Sequence, residues 1–89
     1  MEKQWLVYIL SCKDGTLYTG ITDNLPRRLE QHRTGKGAKY TRGRGPLLLV
    51  YREDAESYAA ALKREYQIKQ LSRSDKLRLI EIYGKTAAQ

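Results

Sequence analysis

The chain has 89 residues, of which 40% are hydrophobic and 30% are charged, and its formal net charge at pH 7 is +7. This length suits one small domain, because a single core can grow to roughly 250 residues before chains divide. No apolar run approaches the roughly 18 residues that span a bilayer, and no signal-peptide pattern opens the sequence, so we expect a cytoplasmic protein without a membrane partner. A single cysteine, Cys12, excludes an internal disulfide, and with only one histidine it leaves no Cys/His cluster for zinc.

Most of the positive charge lies in one segment. Between residues 33 and 44 there are five cations and no acid, whereas the rest of the chain holds 12 basic and 10 acidic residues, a charge of +2. A local cationic patch favours nucleic acid as the partner over an anionic membrane or an acidic protein.

The first two predicted elements are strands. Residues 5–11 and 17–22 are rich in apolar, branched and aromatic side chains. The segment Lys13-Asp14-Gly15 between them is typical of a hairpin loop, so the two strands are expected to pair antiparallel.

Two registers are open for this hairpin. A two-residue Asp14-Gly15 turn would place Tyr8 and Tyr18 on opposite faces of the sheet. A three-residue loop with Gly15 in the left-handed conformation would pair Tyr8 with Gly20 and bring both tyrosines to one face. A glycine inside a strand often marks a close approach by a backbone or a ligand, which slightly favours the second register.

The third predicted element is a helix that begins near Asn24. Asp23 or Asn24 can cap its first turn, and Pro26 suits that turn because its missing N–H would be unpaired there anyway. At about 100° per residue, one side of the helix carries a cation and the only histidine between leucines, namely Leu25, Arg28, Leu29 and His32. A guanidinium on a core-facing stripe needs an anionic partner, because an unpaired buried charge is costly.

The segment after this helix has the composition of an irregular loop. Residues 34–46 include four glycines and Pro46, which end the helix and prevent another. Backbone freedom combined with Lys and Arg suits a loop that follows a phosphate chain, and an aromatic ring there can stack on a base or pack on a sugar. The candidate nucleic-acid-binding residues are Arg33, Lys36, Lys39, Tyr40, Arg42 and Arg44. A solvated surface loop is the alternative.

A third strand and a second helix are predicted next. The apolar run Leu47–Tyr51 predicts a well-covered strand. From Asp54, which can act as its cap, to Leu71 the chain predicts a helix without Gly or Pro. The expected apolar stripe of this helix is Tyr58, Ala61, Leu62 and Ile68.

One carboxylate, Glu65, lies near the middle of that stripe. A carboxylate at such a place requires an arginine, a metal ion or a raised pKa. An ion pair between Arg28 and Glu65 that only holds two helices together is one interpretation, and a functional pair of charges is the other.

The last predicted element is a helix that starts at Ser72 or Ser74 and ends at Gly84. Its inward-facing residues are expected to be Leu77, Ile80 and Tyr83. The order β-β-α-β-α-α predicts an α+β fold in which helices flank a three-stranded, mainly antiparallel sheet. We expect one domain over residues 1–84 and a frayed tail over residues 85–89.

This order of elements and motifs resembles the GIY-YIG nuclease domain. Leu6-Val7-Tyr8 stands at the first motif, with only its tyrosine kept, and Tyr18-Thr19-Gly20 stands at the second. Arg28 falls at the catalytic arginine of the family and Glu65 at its metal-binding glutamate. The resemblance covers nearly the whole chain, and the size and the Gly35-Lys36-Gly37-Ala38 segment resemble the small standalone bacterial members.

The resemblance implies a divalent-metal-dependent endonuclease that hydrolyses phosphodiesters, in DNA rather than RNA, with a role in DNA repair or processing. Glu65 would hold Mg²⁺ or Mn²⁺, and Arg28 would stabilise the charge that builds on the phosphoryl oxygens. Tyr18 or Tyr8 would assist the attacking water, and His32 would bind phosphate or carry a proton. No small-molecule cofactor is expected.

Simpler interpretations of the same residues stay open. Tyr8 and Tyr18 can be ordinary sheet tyrosines bonded through their hydroxyls, and His32 can be a satisfied core residue. The main alternative function is a non-catalytic nucleic-acid-binding module that uses residues 33–45. An adaptor that docks on an acidic protein is the third.

Overall fold

Six elements make up the part of the protein that the computed structural model describes, residues 4–36 and 46–83. In chain order they are β1 (Trp5–Ser11), β2 (Leu17–Thr22), α1 (Leu25–Arg33), β3 (Leu48–Ala55), α2 (Tyr58–Lys69) and α3 (Arg73–Tyr83). The three strands form one antiparallel sheet in the order β2-β1-β3. The predicted α+β fold and its element order are confirmed. Predictions for residues 37–45 and 84–89 lie outside the described residues.

Strand β1 lies at the centre of the sheet and is buried on both faces. Its residues Leu6–Leu10 are all buried, which explains why its sequence is a continuous apolar run rather than an alternating one. Helix α1 covers one face, where the core residues are Leu6, Tyr8, Leu10 and Leu25. Helices α2 and α3 cover the other face, around Val7, Ile9, Tyr51, Ala61 and Ile68. No helix in the described residues is long and apolar enough to cross a membrane.

The β1–β2 hairpin adopts the register of the three-residue loop. Gly15 has a φ of 85°, in the left-handed region that favours glycine, and its N–H donates to the carbonyl of Cys12 at 2.9 Å. Tyr8 pairs with Gly20. Because side chains alternate along a strand, Tyr8, Tyr18 and Gly20 belong to the face that α1 covers. The second of the two predicted registers is confirmed.

Position 20 is a glycine because the ring of Tyr8 lies against it. A Cβ there would be 2.7 Å from Oη of Tyr8, 2.8 Å from its Cζ and 3.0 Å from Cε2 of Tyr18. Tyr8 is fully buried, so its ring cannot move aside without disturbing a close-packed core. This contact is the close approach that a glycine inside a strand predicts.

Helix α1 begins and ends where its sequence indicates. Asn24 caps it, since its side-chain oxygen accepts a hydrogen bond from the N–H of Arg27 at 3.2 Å. Pro26 lies in the first turn, as predicted. The chain leaves the helix through Gly35, which has a φ of 79°.

The third strand and the second helix meet at a different place from the one predicted. Strand β3 continues to Ala55 because β1 offers pairing partners along this length, and it therefore includes Asp54. Ser57 caps α2 instead, through a hydrogen bond from the N–H of Ala60 at 3.0 Å. β3 is an edge strand whose only buried residue is Tyr51, so the expectation of a well-covered strand is wrong.

The predicted apolar stripe of α2 is only half correct. Ala61 and Ile68 are fully buried, but Tyr58 and Leu62 are exposed. A helix that lies on a sheet of only three strands buries a narrow stripe, and the flanking positions remain in solvent.

Helix α3 also buries only a narrow stripe. Ser72 precedes α3, as predicted, and its hydroxyl accepts a hydrogen bond from the backbone of the first turn at 3.2 Å. Ile80 packs against the core together with Leu79. Leu77 and Tyr83, which were expected to face inward, are exposed.

Replacing Gly20 with alanine is expected to lower the free energy of unfolding by about 1–3 kcal/mol, because the new methyl group overpacks the ring of Tyr8. Thermal or urea denaturation measures this change. Gly35→Ala is the control, since nothing lies within 4 Å of a Cβ at that position and only its positive φ opposes the substitution. An unchanged Tm for Gly20→Ala would show that the close approach is wrong.

Candidate active site

The hydroxyl of Tyr8 connects the residues of the candidate site. Tyr8 is fully buried on the central strand, and its Oη lies 2.8 Å from Nε2 of His32. Nε of Arg28 donates to the same oxygen at 3.3 Å. Arg28 and His32 lie one turn apart on α1, so a single helix delivers both partners to one phenol.

His32 is a buried, neutral imidazole. Only 3% of its surface is exposed, and burial, reinforced by the charge of Arg28, lowers the pKa of His32 from 6.5 to about 4. Oη of Tyr8 accepts from Nε of Arg28, and the direction of its hydrogen bond with Nε2 of His32 depends on the tautomer of the imidazole.

Tyr8 is protonated at neutral pH. Burial raises the pKa of Tyr8 to about 12, and the charges of Tyr18 and Glu65 add to the increase while Arg28 opposes it. The effect of Glu65 means that this carboxylate, on the α2 side of the sheet, is electrostatically coupled to the phenol that faces α1.

Arg28 is held by three neutral polar groups. Besides donating to Tyr8, its Nη1 donates to Oε1 of Gln31 at 3.1 Å, and the guanidinium also hydrogen-bonds to Tyr18. Gln31 was not singled out from the sequence, although its spacing of three residues from Arg28 on a helix is the signal that could have identified it. None of these partners is the anion that was expected.

Glu65 pairs with a different cation from the one considered. Its Oε2 lies 3.4 Å from Nζ of Lys69, one turn further along α2. Within residues 4–36 and 46–83, no ion pair joins Arg28 and Glu65, so these two charges do not merely hold two helices together. The side chain of Glu65 is 20% exposed, which leaves it accessible to solvent ions.

Three rings line the site beside Arg28. The ring centroids of Tyr18 and His32 are 5.3 Å apart, those of Tyr8 and His32 are 5.8 Å apart, and those of Tyr8 and Tyr18 are 6.3 Å apart. These separations are in the range of favourable aromatic packing. Tyr18 is partly exposed, so it forms the solvent-facing wall of the cluster.

The sequence motifs and this geometry agree with a family comparison. The family model described as the GIY-YIG catalytic domain matches residues 4–78. This chain belongs to the GIY-YIG family. GIY-YIG domains form a superfamily of nucleases, and this membership supports endonuclease chemistry in general and a nucleic-acid partner.

The GIY-YIG relatives include small proteins of similar length. A UPF0213 protein of Oceanobacillus iheyensis is 56% identical over 81 residues, which cover 91% of this chain and 94% of that protein. A UPF0213 protein of Clostridium perfringens is 60% identical over 74 residues, which cover 83% and 80% of the two chains. The solution NMR structure of a UPF0213 protein from Bacillus halodurans has a TM-score of 0.61 and 49% identity, and the match covers 91% of this chain and 86% of that one.

A divalent cation fits this GIY-YIG site as a largely hydrated ion. GIY-YIG nucleases generally use divalent metals, yet no group of three His, Cys, Asp or Glu side chains suited to a metal occurs in the described residues. Glu65 would then be the single carboxylate donor among the described residues of the site. Mg²⁺ commonly binds through one or two carboxylates, several waters and substrate phosphates. Lys69 is half-exposed and flexible, so it does not prevent a carboxylate oxygen of Glu65 from turning to such an ion.

The basic segment of the GIY-YIG domain is only partly described. Arg33 is exposed and pairs with Glu30 on the same helix, and Lys36 is exposed just beyond the end of α1. The remaining residues predicted to bind nucleic acid lie outside the described residues, namely Lys39, Tyr40, Arg42 and Arg44.

Acidification is expected to destabilise the domain through His32. Its pKa is about 4 in the folded state and about 6.5 in the unfolded chain, so the unfolded state binds the proton first as the pH falls. The stabilisation is complete above about pH 6.5 and is lost towards pH 4, at up to about 1.4 kcal/mol per pH unit. Urea denaturation between about pH 7 and pH 5, above most carboxylate titrations, measures the slope.

His32→Gln is the matched control because glutamine keeps a polar group but does not titrate. The slope of its unfolding free energy over the same pH range is expected to be shallower. Equal slopes for the two proteins, or an NMR titration of His32 with a midpoint near pH 6.5, would refute the assignment of a buried neutral imidazole.

Proposed function

We propose that this protein is a divalent-metal-dependent endonuclease that hydrolyses phosphodiester bonds in nucleic acid, in DNA rather than RNA. The observation that supports this most directly is the environment of Arg28. Two phenols and an amide orient its guanidinium, and within residues 4–36 and 46–83 no carboxylate neutralises it. A partly buried cation with only neutral partners gains most from an anionic ligand such as a phosphate.

Arg28 would bind the phosphoryl group that reacts. A planar guanidinium can donate two parallel hydrogen bonds to phosphate oxygens, and negative charge on those oxygens is redistributed in the transition state. Because Tyr8 and Gln31 already hold the side chain in place, little reorganisation is required when the substrate arrives.

Exposure distinguishes the roles of the two tyrosines. Water can reach Tyr18, which is partly exposed, whereas Tyr8 is fully buried. We assign the orientation of the attacking water to Tyr18, and the positioning of Arg28 to Tyr8. A relay in which Tyr8 passes its proton to His32 would use the 2.8 Å hydrogen bond between them. Burial opposes it, because burial lowers the pKa of His32 to about 4 and raises the pKa of Tyr8 to about 12.

Glu65 would hold the divalent cation, Mg²⁺ or Mn²⁺. When bound, such an ion neutralises charge on a phosphoryl oxygen and lowers the pKa of a bound water. The partly exposed carboxylate of Glu65 meets this requirement, and within residues 4–36 and 46–83 it forms no ion pair with Arg28.

The pairing of Glu65 with Lys69 favours one alternative function, a nucleic-acid-binding module without turnover. In that case Lys69 takes the place of the metal ion, and the site recognises phosphate through Arg28 together with the basic segment that begins at Arg33 and Lys36. Binding would then occur equally well with metal or with chelator.

Arg28→Lys is expected to reduce the rate of strand cleavage by about 10²–10³-fold, because lysine keeps the charge but cannot form the two parallel hydrogen bonds. The measurement is nicking of supercoiled plasmid and of branched DNA with Mg²⁺, with Mn²⁺ and with EDTA. Arg27→Lys, on the exposed side of the same helix, is the matched control and should cleave like the unmodified protein.

Three further variants test the assigned roles in the same assay. Glu65→Gln should abolish metal-stimulated cleavage, and cleavage that persists in this variant would end the metal hypothesis. Tyr18→Phe should lower the rate more than Tyr8→Phe once both are compared below their Tm, and the reverse order would favour the Tyr8–His32 relay. If the unmodified protein binds DNA but never cuts it with either metal, the binding module is the correct function.

The basic segment is expected to supply affinity through charge. Replacing Lys36, Lys39 and Arg42 with glutamine should weaken binding to duplex DNA and reduce the slope of log K against log [salt] by about 0.9 for each phosphate that is no longer neutralised. Fluorescence anisotropy in EDTA measures both quantities. Unchanged affinity would mean that this segment is an ordinary solvated loop.

A further inference from the structure

A cavity lies where the outer edge of β2 meets α2 and α3. Its volume is about 350 Å³, at the small end of the range for ligand pockets. It is lined by Leu17, Tyr18, Thr19, Lys69 and Lys76. Tyr18 belongs to the candidate active site, and Lys69 is the partner of Glu65. The cavity therefore shares Tyr18 with the site proposed for catalysis.

Thr19, one of the residues that line this cavity, has an unsatisfied polar atom. The residue is 4% exposed, and its hydroxyl oxygen is buried without a hydrogen-bond partner among the described residues. A buried hydroxyl that lacks a partner is costly, so most native structures provide one. Because Thr19 alternates with Tyr18 and Gly20 along β2, its side chain is on the α2 side, away from the cluster around Tyr8.

The charged groups of the cavity are all cationic. Lys69 lies at the end of α2 and Lys76 in the first half of α3, and their ammonium groups are compact point charges with three donors each. Arg73 extends the same positive surface towards the β1–β2 loop, since its Nη2 would be 3.8 Å from a Cβ at Gly15. These three cations lie outside the basic segment at residues 33–44.

We propose that this cavity binds a second phosphate of the same nucleic-acid strand, next to the phosphate at Arg28, through Lys69 and Lys76 with Thr19 as a neutral donor. The inference rests on the proposed function, because the ligand is the substrate backbone. Two ammonium groups and an unpartnered hydroxyl match the oxygens of a phosphodiester, and the volume admits the phosphate with part of its sugar. Since Tyr18 is common to both sites, a strand bound here would be directed to the water-orienting phenol.

The test is equilibrium binding of a short, fluorescein-labelled duplex DNA in EDTA, measured by anisotropy over a series of salt concentrations. Chelation prevents cleavage, so binding at this subsite is measured separately from the chemistry. In the double variant Lys69→Gln/Lys76→Gln, the negative slope of log K against log [salt] should become less steep by about 0.9. This is the value for one phosphate that the protein no longer neutralises. The matched control is Lys63→Gln/Arg78→Gln, which removes the same charge from exposed positions of the same two helices.

A second variant tests the hydroxyl. Thr19→Val keeps the shape of the side chain, and it should weaken binding about two- to five-fold, as expected for one neutral hydrogen bond, without changing the salt slope. Equal slopes for the two double variants would overturn the proposal, as would a Thr19→Val protein that binds as tightly as the unmodified one.

The two proposals can fail separately. If the unmodified protein cleaves DNA but the cavity variant binds like the control, the second phosphate site is wrong and the nuclease assignment stands. If the salt slope becomes less steep in the cavity variant but not in its control, and no preparation cleaves DNA, the phosphate site stands and the nuclease assignment is wrong.

Discussion

The hydroxyl of Tyr8 is the one polar side-chain group among the five buried residues of the central strand, and the position of α1 follows from its need for partners. A buried hydroxyl without a hydrogen bond costs about 1–3 kcal/mol. Arg28 and His32 satisfy this group only if they lie on the inward side of α1, and this explains a cation and a histidine on an otherwise apolar stripe. Gly20 completes the arrangement from β2, since any larger residue would collide with the phenol.

The neutrality of these partners preserves the charge of Arg28. An ion pair with Glu65 would have satisfied the guanidinium and cancelled both charges, whereas two phenols and Gln31 orient it without an anion. Arg28 lies on α1 and Glu65 on α2, the helices that cover opposite faces of the sheet, and no ion pair joins them within residues 4–36 and 46–83. An anion can therefore approach Arg28 and a cation can approach Glu65. The pKa of Tyr8 is raised mainly by burial; the charge of Glu65 adds to the increase and Arg28 opposes it.

Local chemistry made part of this arrangement predictable. The left-handed Gly15 and the Asn24 cap each depend on neighbours within three residues, and each was one of the two alternatives that the sequence offered. Asp54 was also a valid local cap, but β1 continues to pair beyond it, and strand pairing outweighed the local preference. Helical spacing predicted that Arg28 and His32 would share a face. The partner that they share, Tyr8, is about twenty residues away in sequence and became visible only in the fold.

The distribution of charge along the sequence also failed to indicate one feature of the fold, the cationic surface beside β2. Outside residues 33–44 the acidic and basic residues nearly balance, so there was no reason to expect a second cationic surface in that part of the chain. The turn between α2 and α3 lies against the edge of β2, and of the charged residues there only Lys69 and Lys76 line the cavity, while Asp75 does not. A nearly neutral segment thus presents a positive surface, because folding assigns its charges to different faces. Thr19 is a further polar exception: Leu17 and Ile21, its neighbours on the same face of β2, pack against the core, whereas its buried hydroxyl has no partner among the described residues. A phosphate bound in the cavity, as proposed, would give this hydroxyl an acceptor.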